Sequence, residues 1–173
     1  MPANRHSAGR LFAVIAIVAP LMTGCGFQPM YGTGPSGQQL DDVMRTVSVA
    51  TIPGRVGQRL RNELIFATTG GGSSDAPNYR LEIAIRESVQ DVFVAQSGES
   101  EGRAYRLIAA FKLISLDDET VVISGKSIGR AAYDNLDSNF ADIRARRDAE
   151  NRAARTVAED IQTRIATVLS REV

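Results

Sequence analysis

Tryptophan is absent from the 173 residues, histidine and cysteine occur once each (His6 and Cys25), and aromatic residues make up 6% of the chain. A single cysteine excludes an intrachain disulfide framework, and with one histidine beside it there is no Cys/His zinc cage. Neither sign of charge is in excess, 20 Lys+Arg standing against 20 Asp+Glu. A nucleic-acid binder held by phosphate neutralisation is therefore not indicated. Also missing is an uninterrupted apolar run of the ~20 residues that a helix needs to cross a bilayer. What is present, 43% hydrophobic content, suffices to build one globular domain.

The N-terminus has the layout of a signal peptide. Arg5 and Arg10 precede an apolar stretch from Leu11 to Met22, interrupted by Pro20, and the small residues Thr23 and Gly24 lead into Cys25. Met22-Thr23-Gly24-Cys25 resembles the bacterial lipobox, with Met in the place more often taken by Leu, which implies cleavage before Cys25 and acylation of its thiol. Removing residues 1–24 takes away Arg5, Arg10 and the lone His6, leaving 18 basic against 20 acidic side chains and no imidazole. At ~0.8 kcal/mol per buried methylene, several acyl chains on one cysteine hold a protein to a membrane almost permanently. Function is then expected at a membrane surface.

Along the mature chain, Phe27 to Gln39 is rich in Pro and Gly and reads as part of a tether over residues 25–45, ahead of one domain over 46–173. Thr46 to Ile52 alternates and is β-branched, marking a strand with Val47 and Val49 on one face, stopped by Pro53-Gly54. Val56, Leu60, Leu64 and Ile65 then keep helical spacing over Arg55 to Thr69, and Gly70-Gly71-Gly72 ends that helix. Tyr79, Leu81, Ile83 and Ile85 alternate with Arg80, Glu82 and Arg86 in a second strand, which Val89, Val92 and Val94 continue after a bulge. A third strand over Arg103 to Leu116 sets Tyr105, Leu107, Ala109, Phe111 and Leu113 against Arg106, Ile108 and Lys112. The turn Asp117-Asp118-Glu119 leads into a fourth over Thr120 to Ala132. Residues 140–171 form a long helix with the face Ala149, Ala153, Val157, Ile161, Ile165 and Val168, whose small residues suit close approach to a sheet.

The order strand, helix, three strands, helix predicts an α+β two-layer sandwich: a mixed four-stranded sheet, its first two strands parallel through a right-handed crossover, with both helices on one face. The opposite sheet face is left for solvent, a partner or an amphiphile.

Catalytic chemistry is hard to place. Ser-His-Asp and Cys-His arrangements need an imidazole, and a Ser-Lys dyad at Lys112 or Lys126 lacks a motif to position it. Gly125-Lys126-Ser127 looks like the end of a phosphate-binding loop, but Thr120 stands where that motif requires Gly, and the context is a strand. Asp117-Asp118-Glu119 lacks the alternating ligands and central Gly of a calcium loop, and Asp134 and Asp137 read as turn or capping residues. No catalytic residue, cofactor or metal is expected.

Leu21-Met22-Thr23-Gly24-Cys25-Gly26-Phe27-Gln28-Pro29-Met30-Tyr31-Gly32 resembles the mature start of the lipopolysaccharide-assembly lipoprotein family LptE (RlpB) in its alphaproteobacterial form. Val47 to Ile52 and Arg55 to Leu64 are similar to that family's first strand and helix. The resemblance implies an outer-membrane lipoprotein on the periplasmic side, not an enzyme, that plugs and helps assemble the LptD β-barrel translocon and assists insertion of lipopolysaccharide into the outer leaflet. Gly26 agrees, since an Asp there would resemble an inner-membrane retention signal. An auxiliary lipoprotein of an ABC-type lipid transporter is the alternative. On physical grounds Arg103, Arg106, Lys112, Lys126 and Arg130, on the third and fourth strands, are the candidate contacts for lipopolysaccharide phosphates.

Overall fold

A computed structural model of the chain describes residues 40–71, 76–94, 100–134 and 138–171. The expected signal peptide, the acylation site Cys25 and the tether up to residue 39 lie outside the described residues. The elements are α1 (Leu40–Arg45), β1 (Val47–Val49), α2 (Arg55–Thr69), β2 (Tyr79–Val94), β3 (Ser100–Ser115), β4 (Val121–Asp134) and α3 (Asn139–Leu169). The sheet order is β1-β2-β3-β4. β1 runs parallel to β2, with Val49 beside Leu81, and the two hairpin pairs are antiparallel. This is the expected mixed sheet and α+β order.

The alternation seen in the sequence becomes the two sides of the sheet. Leu81, Tyr105, Leu107, Ala109, Phe111, Leu113, Ala131 and Tyr133 are buried under the helices. They meet Leu60 and Leu64 of α2 and Ala149, Ala153, Val157, Ile161 and Ile165 of α3, all fully buried. Each large aliphatic side chain in that layer contributes about 1.5–3 kcal/mol. Near the C-terminus Leu169 takes the buried position and Val168 is only half-buried.

Two departures concern chain ends. Residues 40–45, read above with the tether, form α1, which sends Leu40 and Met44 into the core. Its Asp41 and Asp42 at the first turn and Arg45 at the last complement the helix dipole. β1 is shorter than the stretch Thr46 to Ile52, because after the bond from the Ala50 N–H to the Leu81 carbonyl (2.9 Å) the chain leaves the ladder and buries Ile52. In β2 the register shift falls at Asp91 to Phe93, so Val89 stays in phase with Leu81.

α3 lies against β4 so closely that a Cβ on Gly129 would come within 2.3 Å of the Ala153 carbonyl oxygen. Polar contacts fix α2 to α3: buried Glu150 accepts from Arg55 and from Arg146 Nε (3.0 Å), and Gln162 Nε2 donates to the Ala67 carbonyl (3.1 Å). α2 ends at Gly70 in the left-handed region (φ 61°), a conformation that costs glycine little.

Tyr105, fully buried, donates its hydroxyl proton to Glu87 Oε2 at 2.8 Å. Burial first, and then that hydrogen bond, push its phenol well above the ordinary value of 10.0. The unfolded chain therefore releases this proton before the folded one. The stabilisation is complete below pH about 10 and falls as pH rises beyond it, by up to ~1.4 kcal/mol per pH unit. Denaturant titrations between pH 9 and 12 should show a shallower alkaline decline for Tyr105→Phe than for the native chain. An identical decline would contradict the assignment.

Candidate functional site

Among the described residues no helix covers the second face of the sheet, and the even-numbered positions of β2, β3 and β4 point to it. Registry sets Glu82 beside Lys112 and Ser124, Ala84 beside Ala110 and Lys126, Arg86 beside Ile108 and Ile128, and Ser88 beside Arg106 and Arg130. Four of the five lipopolysaccharide candidates, Arg106, Lys112, Lys126 and Arg130, thus share one surface. The fifth does not. Arg103 has the parity of Tyr105 and lies on the helix side, where it pairs with Asp91 (3.5 Å) and with Asp142 of α3 (3.7 Å). Arg86 belongs with the four. Its alternation against Leu81 and Ile85 is the sequence signal that places it there.

The electrostatics of this face are one-sided. Of its two acids among the described residues, Glu82 is tied to Arg80 at 3.0 Å and Asp134 stands at the end of β4 beside Gly102, while among the described residues Arg86, Arg106, Lys112, Lys126 and Arg130 form no ion pair. Arg106 and Arg130 are direct cross-strand partners. Like charges so placed destabilise a sheet. The Nε of Arg106 is moreover buried without an acceptor, and such a donor costs about 1–3 kcal/mol until an acceptor arrives. An anion between the two guanidiniums relieves both costs. Beside this cluster, Ile108, half-exposed Ile128 and the small Ala84 and Ala110 supply apolar surface. A depression of about 540 Å³ opens over the alanines, rimmed by Glu82, Lys112, Ser124 and Lys126. Cationic groups beside an apolar hollow suit an amphiphile with an anionic headgroup.

Other motifs resolve into structure. Lys126 and Ser127 lie within β4, with Ser127 buried on the helix side, so no phosphate loop forms. Asp118 caps its own turn, accepting from the Thr120 N–H (3.2 Å) and hydroxyl (2.9 Å). Hydrogen bonds from Ser115 and then Thr120 hold its carboxyl below the usual range. Asp134 ends β4, and Asp137 lies outside the described residues. Among the described residues no cluster of three or more metal-binding side chains occurs, and no helix is long and apolar enough to cross a membrane.

Comparison with known proteins adds a family and a fold. The model of the lipopolysaccharide-assembly family LptE matches residues 44–165. The crystal structure of a lipoprotein from Caulobacter crescentus is similar at a TM-score of 0.63 and 22% identity, covering 76% of this chain and 96% of that one. Rare lipoprotein B from Shewanella oneidensis is similar at 0.54 and 13%, covering 73% and 98%. Lipoprotein B from Nitrosomonas europaea follows at 0.53 and 12%, covering 72% and 82%. No curated protein sequence matches.

Proposed function

The chain belongs to the lipopolysaccharide-assembly family LptE, and from that membership we propose an outer-membrane lipoprotein, anchored through acylated Cys25, that binds lipopolysaccharide on its open sheet face. It plugs an LptD-type β-barrel and helps that barrel assemble, so that lipopolysaccharide reaches the outer leaflet. The observation that carries the ligand is the row of five cations that form no ion pair among the described residues, on a face whose acids are Glu82, already tied to Arg80, and Asp134 at the far end of β4. Phosphates of the ligand sit between Arg106 and Arg130 and at Lys112 and Lys126, while its acyl region lies over Ile108, Ile128 and the alanine hollow. The work is done by contact rather than bond-making.

Depletion of the protein should leave the barrel misassembled and lipopolysaccharide scarce at the cell surface. Normal levels of both, or recovery of a permease and substrate-binding subunit in place of a barrel, would reject the reading. Cys25→Ala should abolish labelling by a tagged fatty acid and release the protein from membranes while the domain stays folded. Persistent labelling would move the anchor elsewhere.

A further inference from the structure

The sheet's edges are treated unequally. In a strand, the N–H and C=O of one residue point to the same edge. The bond from the Ala50 N–H to the Leu81 carbonyl therefore fixes the odd residues of β2 as those facing the β1 side. β1 pairs only as far as Leu81, so β2 overhangs it. Among the described residues nothing meets the outward N–H and C=O groups of Ile83, Ile85, Glu87 and Val89. Elsewhere arginines guard the edges. Arg61 Nε donates to the Val49 carbonyl (3.2 Å) at the rim of β1, and Arg152 and Arg164 of α3 donate to the Ala132 (2.9 Å) and Lys126 (3.2 Å) carbonyls along β4. Unguarded edge strands are templates for strand addition.

We propose that the edge of β2 from Ile83 to Val89 takes up an extended strand of the barrel partner, which continues the line of β1. This rests on the reading that such a barrel is the partner. The seven residues offer about 20 Å of ladder. Ile83, Ile85 and Val89 flank the incoming strand with apolar side chains on the helix side, and Arg86, without an ion pair, meets an acidic residue of that strand on the open face. A second copy of this chain fits poorly. Because β1 already occupies the same edge at Tyr79 to Leu81, a twofold pairing must centre near Ser88 or Val89. That sets Ile85 against Asp91 in the first case or Glu87 against Asp91 in the second, and leaves Arg86 without an acid in both.

The test uses the full lipoprotein in detergent. Ile85→Pro removes an N–H that makes no bond in the fold, and Ile85→Ala serves as its control, losing the side chain but keeping the N–H. Both variants should melt within a few degrees of each other. Ile85→Pro should recover the barrel at least tenfold less well than Ile85→Ala, and hydrogen exchange across residues 82–90 should slow at least tenfold when the native chain binds the barrel. Equal recovery by the two variants, or unchanged exchange in a complex that does form, overturns the strand addition while leaving the partner reading intact. Failure of the native chain to recover a barrel overturns both. If Ile85→Pro does not fold, the exchange measurement on the native chain decides alone. Protection already present without the barrel, lost on deleting residues 27–39 or on dilution, assigns the edge to the chain's own segment or to a second copy and overturns the proposal.

Discussion

Gly129→Val should destabilise the domain by about 3 kcal/mol, a fall of roughly 6–12 °C in Tm. The Cβ would stand 2.3 Å from the Ala153 carbonyl oxygen and 3.0 Å from the Val157 side chain, and the first of these atoms is backbone that cannot rotate away. α3 would have to lift from β4, exposing the layer of Ala149, Ala153 and Val157. Gly125→Ala on the same strand is the control. Its Cβ would meet the ring edge of Phe111 at 3.2 Å, which small ring shifts accommodate at under ~1 kcal/mol. Thermal melts of the two variants check the difference, and equal stability would mean that the helix does not bear on the strand as described.

The second large effect has opposite signs in two measurements. Replacing both Arg106 and Arg130 by Gln should weaken lipopolysaccharide binding roughly a hundredfold, about 3 kcal/mol for two charge-assisted hydrogen bonds. The same change should leave the fold more stable by about 1 kcal/mol or more, because two like charges no longer face each other across the strands and the Arg106 Nε without an acceptor is gone. Arg103→Gln supplies the contrast: its partners Asp91 and Asp142 lie on the helix side, so it should leave binding unchanged. A ligand titration beside a denaturation curve reads both signs. Loss of binding together with loss of stability would reduce the arginines to a structural role.

Much of this was legible in the amino-acid pattern, because period-two and period-3.6 spacing report which side chains are buried. Leu81, Tyr105, Leu107 and the alanine face of α3 declare themselves in that way. Parity alone separates Arg103 from Arg106, since Arg103 stands two residues from buried Tyr105. Grouping basic residues by strand and not by parity is what joins Arg103 to the wrong side and omits Arg86. α1 was hidden by its length, six residues being too few to show a period, although its acidic start and basic end carry a dipole signal. Register was not legible. Neither the direct opposition of Arg106 and Arg130 nor the overhang of β2 beyond β1 follows from composition, because each depends on where a hairpin closes and where a crossover leaves the ladder. The arginine guards on β4 are likewise tertiary, arising only because α3 runs along that strand.

The central claim, that the uncovered sheet face holds lipopolysaccharide, is tested most directly by placing a photo-crosslinking residue at Ala110, in the middle of that face, and at Thr163, exposed on the outer side of α3. Irradiation in the native envelope should attach lipopolysaccharide at Ala110 and not at Thr163. Attachment at Thr163 alone, or at neither position in a cell that assembles its outer membrane normally, would contradict the account.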